Sequence, residues 1–287
     1  MARTSGKKLL LLLASSLLIS NCAALDTLES RRQAAHDIAA TNHLQAQTIT
    51  TPLFTFTTFQ KITNTNAPLS IYIEGDGLAW IKRTRPSGNP TPTNPVALRL
   101  AASDNISQNI IYIARPCQYT PITASNPCPV KYWTSHRFAP EVIDSFNKAL
   151  NQIKNSHNSN DLHLIGYSGG GTIATLLAQN RSDIKSLRTV AGNLDIDTFS
   201  DIHNVSKMPQ SLNPADTAHK TVQLAQIHFI GKKDKIVPST IFHSYKKRAG
   251  ASDCITHKII TNSDHAHGWS AQWPELITIP PKCSNKN

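Results

Sequence analysis

Beyond one apolar run near its start, the chain has no hydrophobic stretch approaching the roughly 20 residues that a membrane helix needs, which excludes a polytopic membrane protein. Charge is scarce, at 16% of residues, so disorder driven by self-repulsion is excluded as well. Glycine numbers only 12 and follows no repeat, which excludes a collagen-like chain. Acidic residues are outnumbered by basic ones: 18 Asp and Glu face 29 Lys and Arg, for a net charge of +11. That imbalance invites a polyanionic partner. Yet no block of five like charges occurs, and the densest clusters are Lys232-Lys233-Asp234-Lys235 and Lys246-Lys247-Arg248. Neither a zinc-finger spacing nor an aromatic RNA-reading motif accompanies them, so no nucleic-acid partner is expected. Anionic lipid or cell-wall polymer suits such a surface better.

What is present begins with a targeting signature. Arg3, Lys7 and Lys8 precede the apolar run Leu9 to Ile19, and Ser20-Asn21-Cys22 follow. A basic segment, an 11-residue apolar core and small residues beyond it describe a secretory signal better than an anchor helix. Ile19-Ser20-Asn21-Cys22 resembles a bacterial lipobox, with Asn21 where Gly, Ala or Ser is preferred, so Cys22 is the expected lipidation site. The expected organisation is a lipoprotein-type signal over residues 1–21, a leader over 22–52 and one domain over 53–287. Removing residues 1–21 deletes three basic residues and no acidic one. That leaves 26 against 18, or +8. The expected location is the periplasm or outer membrane, with a secreted form as the alternative.

Four further cysteines, Cys117, Cys128, Cys254 and Cys283, suit an oxidising compartment. Three pairings are open. Cys117 with Cys128 closes a Pro-rich loop most simply, and Cys254 with Cys283 would then pin the C-terminal tail. None shows the Cys-x-x-Cys spacing of a metal site, and no cofactor or metal is expected.

Along the chain, a polar helical leader (Asp26 to Ala46) precedes an edge strand alternating aromatic residues and Thr (Phe54 to Lys61). Strands are expected at 69–73, 109–114, 162–166, 186–191, 226–230 and 256–260. Helices are expected at 96–102, 139–153, 172–179 and 239–248. Val142, Ile143, Phe146, Ala149, Leu150 and Ile153 recur at helical spacing, as a core-facing stripe does. This alternation predicts an α/β fold, a mainly parallel central sheet with helices on both faces, in a single domain.

Three strand ends carry chemistry. Gly166-Tyr167-Ser168-Gly169-Gly170 matches G-x-S-x-G between an apolar strand and a helix, the context in which a serine becomes an exposed nucleophile. A phosphate loop would need a Walker lysine or G-x-G-x-x-G, and neither is there. The last strand runs into Asp264-His265-Ala266-His267-Gly268-Trp269, where His265, or else His267, supplies the base. A metal half-site of Asp264, His265 and His267 is the rival reading. Asp234, just past the strand Gln226 to Ile230, is the expected acid, with Asp195 and Asp197 as runners-up. The order Ser168, Asp234, His265 is that of α/β-hydrolases. The N–H groups of Gly169 and of Asp76, in the turn Glu74-Gly75-Asp76-Gly77, are the expected oxyanion donors. A carboxylate there opposes catalysis unless paired, and Arg83, Arg85 and Arg115 are the candidate partners. A plain turn is the alternative for this segment.

The segments EGDGLAW, ARPCQY, CPVKYWTSHRFAPEVI, GYSGGG, IGKKDKIVP and DHAHGW together resemble an α/β-hydrolase family of Gram-negative bacteria that often carries lipoprotein-type signals. The resemblance spans about Leu53 to Leu276. It implies the α/β-hydrolase fold, with Ser168 as nucleophile, Asp234 as acid and His265 as base. Where related sequences often place two cysteines before the final Trp, this chain has His267 and Gly268. The expected activity is hydrolysis of an ester through an acyl-enzyme, on a small-molecule or acyl substrate. A peptidase or amidase on the same fold and a non-catalytic lipid-anchored binding protein are the alternatives. The loops 83–95, 117–128 and 196–214 are the expected pocket walls.

Overall fold

The computed structural model describes residue 2, residues 26–123 and residues 127–283; the expected signal and Cys22 lie outside them. Helix α1 (Leu28–Thr41) starts at a reciprocal cap in which Thr27 Oγ1 accepts from the Ser30 N–H and Ser30 Oγ accepts from the Thr27 N–H. It ends at Asn42, and the chain turns into strand β1 (Gln45–Thr50), not the further helix expected as far as Ala46. β1 pairs antiparallel with β2 (Thr55–Ile62) across a turn in which Thr51 and Phe54 exchange hydrogen bonds. The strand was illegible because it buries one side chain, Ile49, and offers almost no alternation. β1 is therefore the edge of the sheet, and β2, expected there, is second. The segment read as leader thus contributes α1 and β1 to the folded unit.

The chain continues through β3 (Leu69–Ile73), a hairpin of β4 (Trp80–Lys82) and β5 (Arg85–Pro86), α2 (Val96–Ala102), β6 (Asn109–Ile113), α3 (Pro140–His157), β7 (Leu162–Tyr167), α4 (Gly169–Ala178), β8 (Ile184–Val190), α5 (Ile196–His203), β9 (Gln226–Gly231), α6 (Ser239–Ala249), β10 (Ile255–Ile260) and α7 (Trp269–Leu276). All lie where the alternation places them except the hairpin, α5 and α7, which were not expected; α5 falls in the segment 196–214 read as a pocket wall. Eight strands form one sheet in the order β1-β2-β6-β3-β7-β8-β9-β10. From β6 to β10 every neighbouring pair is parallel.

Strands β3 and β6 are buried at every residue, because helices cover both faces. Alternate side chains go to opposite layers. Ile71, Ile73, Ile111 and Leu164 pack with Phe146, Leu150, Ile173 and Leu177 of α3 and α4. Tyr72, Tyr112, Ile165 and Phe229 pack with residues of α1, α2 and α7, including Trp269 and Trp273. The helical stripe expected on α3 is buried in full. This is the α/β-hydrolase fold, and β3, β7, β9 and β10 all end at one edge of the sheet, where ligands of open α/β sheets bind. Cys117 is bonded to Cys128, and Cys254 to Cys283.

Candidate active site

Strand β7 ends at Tyr167 and α4 begins at Gly169, so the chain must reverse within one residue. Ser168 takes the whole turn, at φ 51° and ψ −119°, a conformation that costs a non-glycine residue about 1–3 kcal/mol. Its backbone is pinned to compensate: the Ser168 N–H donates to the Val190 carbonyl (2.9 Å), and its own carbonyl accepts from Gly171 (2.9 Å) and Asn193 (3.1 Å). Gly166 and Gly170 permit the close approach. A Cβ on Gly166 would strike the Gly170 carbonyl, and one on Gly170 would strike the Ile73 carbonyl at the end of β3.

The strained turn aims Ser168 Oγ at His265 Nε2, 3.1 Å away. His265 Nδ1 lies 2.9 Å from Asp234 Oδ2. The other oxygen of Asp234 accepts the N–H groups of Ile236 and Val237, both at 2.8 Å, and its side chain is fully buried. A carboxylate so fixed accepts a hydrogen bond from Nδ1–H and so holds the proton on that nitrogen, leaving Nε2 to accept from the serine. The loop after β10 is held by its own carbonyl: His265 O accepts from Tyr167 Oη (3.0 Å) and Trp269 Nε1 (3.1 Å). His267 instead pairs with Asp264 at 3.1 Å and is exposed, so of the three residues of the rival metal reading two bond to each other while His265 faces Ser168 and Asp234. Asp195 caps α5 and binds Ser244, Thr198 and Asn213, and Asp197 lies 3.4 Å from Asn213. Neither reaches His265.

The Glu74–Gly77 turn leaves β3 beside Ser168. Among the described residues, the N–H groups of Asp76 and Gly169 have no acceptor. The Asp76 carboxylate does have partners: Arg115 donates to Oδ1 (2.9 Å) and Arg137 lies 3.4 Å from Oδ2. Burial pushes the Asp76 carboxyl up, but Arg137 and Arg115, with His265 nearby, outweigh it and hold it below the usual range. The candidate partner Arg83 instead binds the carbonyls of His203 and Asn204, and Arg85 is exposed on β5. Arg137 was missed, since nothing in Ser-His-Arg-Phe marks it as inward-facing. Gln118 completes the scaffold, donating to the Gly75 carbonyl (2.9 Å) and accepting from the Arg115 N–H (3.0 Å).

Beneath the turn sits Glu74, 1% exposed. Its Oε1 accepts the N–H groups of Gly75 (2.9 Å) and Ala97 (3.3 Å), while Oε2 has no hydrogen-bond donor within 3.5 Å among the described residues. Burial raises this carboxyl to about 7, against the pull of the N–H groups of Gly75 and Ala97. A cleft of about 180 Å³ opens over Ser168 and His265, bounded by Glu74, Asp76, Pro92, Asn94, Tyr167 and Ala266. Of the expected walls only 83–95 contributes. Among the described residues neither 117–128 nor 196–214 lines it, the first because its disulfide loop turns inward at Cys117 and Cys128, which are buried in the core.

Fold and site together define a serine hydrolase of the α/β-hydrolase fold. Residues 110–259, just over half of the chain, match the family described as serine hydrolase (FSH1), and the chain belongs to that family. Among solved structures it is similar to an α/β serine hydrolase homologue from Coxiella burnetii, at 14% identity and TM-score 0.55, over 81% of this chain and 95% of that one. It is also similar to an esterase of Pyrococcus furiosus, at 11% identity and TM-score 0.58, over 83% and 92%. A third is Est1E from Butyrivibrio proteoclasticus, at 12% identity and TM-score 0.58, over 81% and 97%. At these identities the likeness is one of fold. No protein of curated function matches the chain in sequence.

Proposed function

We propose that this serine hydrolase cleaves esters through an acyl-enzyme on Ser168. The observation that carries the reading is the hydrogen-bonded chain Ser168–His265–Asp234, which opens on a cleft beside two acceptor-free N–H groups. His265 takes the Ser168 proton as Oγ attacks the ester carbonyl, and Asp234 stabilises the imidazolium. The developing oxyanion is received by the N–H groups of Gly169 and Asp76. His265 then protonates the leaving alkoxide, and a water activated by the same imidazole releases the acid. The Asp76 carboxylate does not oppose this step, because two guanidiniums face it and the group carries a net charge of +1.

In the same reading the protein is exported, residues 1–21 are its signal and Cys22 is lipidated. Two cystines support the oxidising compartment. A fluorophosphonate probe should label the protein, with labelling lost in Ser168→Ala and kept in Ser107→Ala. A protein that takes no label refutes the mechanism. A panel of p-nitrophenyl esters against the matching anilides then separates ester from amide hydrolysis.

A further inference from the structure

The hairpin β4–β5 grows from the wall of the cleft: Gly77 and Pro92, on either side of it, both line the opening. Its base is closed by Leu78 N–H to the Pro90 carbonyl (3.1 Å) and Ser87 N–H to the Ala79 carbonyl (3.0 Å). Arg83 of the hairpin binds the carbonyls of His203 and Asn204 at the end of α5. His203 Nε2 in turn reaches the Ile236 carbonyl (2.7 Å), in the loop that carries Asp234. Three segments are thereby joined around one side of the site.

They share an unusual surface. Trp80 (42% exposed), Ile81 (50%), Ile202 (43%), Val205 (40%) and Ile236 (48%) all lie on them. That is five of the eleven large apolar side chains exposed among the described residues, and isolated exposure would not concentrate them so. The charge is one-sided as well. Residues 78–90 contain Lys82, Arg83 and Arg85 and no acid. The loop 232–238 exposes Lys232, Lys233 and Lys235, and the side chain of its only acid, Asp234, is buried. None of these six cations forms an ion pair among the described residues. The one acid–base pair at the end of α5, Asp201 with Lys207, is internally neutral.

We propose that the hairpin, the end of α5 and the Asp234 loop form a docking surface for an anionic lipid bilayer, which sets the cleft against substrate at that surface. The docking is independent of catalysis; the delivery of substrate rests on the ester-hydrolase reading. Tryptophan and isoleucine side chains enter the interface while lysines and arginines meet lipid phosphates. A soluble polyanion would engage the cations and leave Trp80 and Ile81 in water, so the apolar residues favour lipid.

Trp80 provides the readout, because Trp133, Trp269 and Trp273 are buried. The full chain carrying Ser168→Ala is mixed with vesicles of phosphatidylglycerol and phosphatidylcholine, or of phosphatidylcholine alone. A blue shift of Trp80 emission and its quenching by brominated lipid are expected with the anionic vesicles only, both weakening as salt rises. Trp80→Phe should abolish the shift, and Ile81→Ser with Ile202→Ser should lower partitioning at least tenfold while leaving hydrolysis of a soluble ester unchanged in the Ser168 background. Binding contributed by the N-terminal residues is common to all variants and does not move Trp80. No shift, an equal shift on neutral vesicles, or a shift reproduced by dextran sulfate without lipid each overturns the proposal. None of these outcomes depends on whether Ser168 is the nucleophile.

Discussion

Glu74 shows what a single buried carboxyl does to the protein's response to pH. Its unfolded value is near 4.5 and its folded value about 7, raised by burial. Below about pH 4.5 the group is neutral in both states. Between 4.5 and 7 the unfolded chain releases the proton that the folded chain keeps, so stability falls as pH rises and reaches its floor above 7. The span is on the order of 3 kcal/mol. Around it lie Tyr112, Tyr119, Tyr167 and Arg115; of these, Tyr112 and Arg115 favour ionisation, and burial outweighs them. Glu74→Gln retains an oxygen for the Gly75 N–H and removes the titration. Denaturant unfolding between pH 4.5 and 8 should therefore lose this downward slope in the variant, and an unchanged slope would assign it elsewhere. Nothing local marks Glu74 as buried, since Ile-Glu-Gly-Asp-Gly reads as a strand running into a polar turn. Ser168, Asp234 and His265 were legible for the opposite reason: each follows an apolar strand within a few residues, in an order few chains reach by chance.

At the level of elements, the sharp β7–α4 turn is only as good as the packing that tolerates it. Helix α4 lies so close to β3 that the α-carbon of Gly170 faces the Ile73 and Glu74 carbonyls. A methyl there displaces either the helix that follows Ser168 or the strand that carries the Glu74–Gly77 turn. Gly170→Ala should destabilise the fold by about 3 kcal/mol or more, a fall of roughly 6–12 °C in melting temperature for a chain of this size. Gly88→Ala, where nothing lies within 4 Å, should change stability by less than about 0.5 kcal/mol. Calorimetry of the two variants distinguishes local crowding from a general cost of replacing glycine. The glycine run announced a tight turn in the sequence; the strand it touches, nearly a hundred residues earlier, did not show. β1 was hidden for a related reason, since an edge strand with one buried side chain is specified by its neighbour's open edge rather than by its own pattern.

Across the whole molecule, the site is assembled from strand ends that are far apart in sequence, and its weakest support is the edge strand β10. That strand pairs with β9 alone, and the loop after it must deliver His265 to Ser168. The cystine between Cys254 and Cys283 ties the start of this edge to the tail beyond α7, while the Cys254 carbonyl accepts from the Gln226 N–H at 2.8 Å. Composition marked four cysteines for an oxidising compartment but left three pairings open, because pairing is decided by where β10 and the tail meet in space. With its ends 29 positions apart, the cross-link removes unfolded-state entropy worth about 3–4 kcal/mol. The double variant Cys254→Ser/Cys283→Ser should thus lose about that much stability. Hydrogen exchange should locate the loss, rising first in β10 and the loop to Trp269 rather than in β3 or β7. Hydrolase activity well below the melting temperature should persist, because the Ser168–His265–Asp234 contacts do not involve the cystine. A uniform rise in exchange across the sheet would instead mean that the cross-link stabilises the sheet as one cooperative unit, with no separate role in holding the histidine loop.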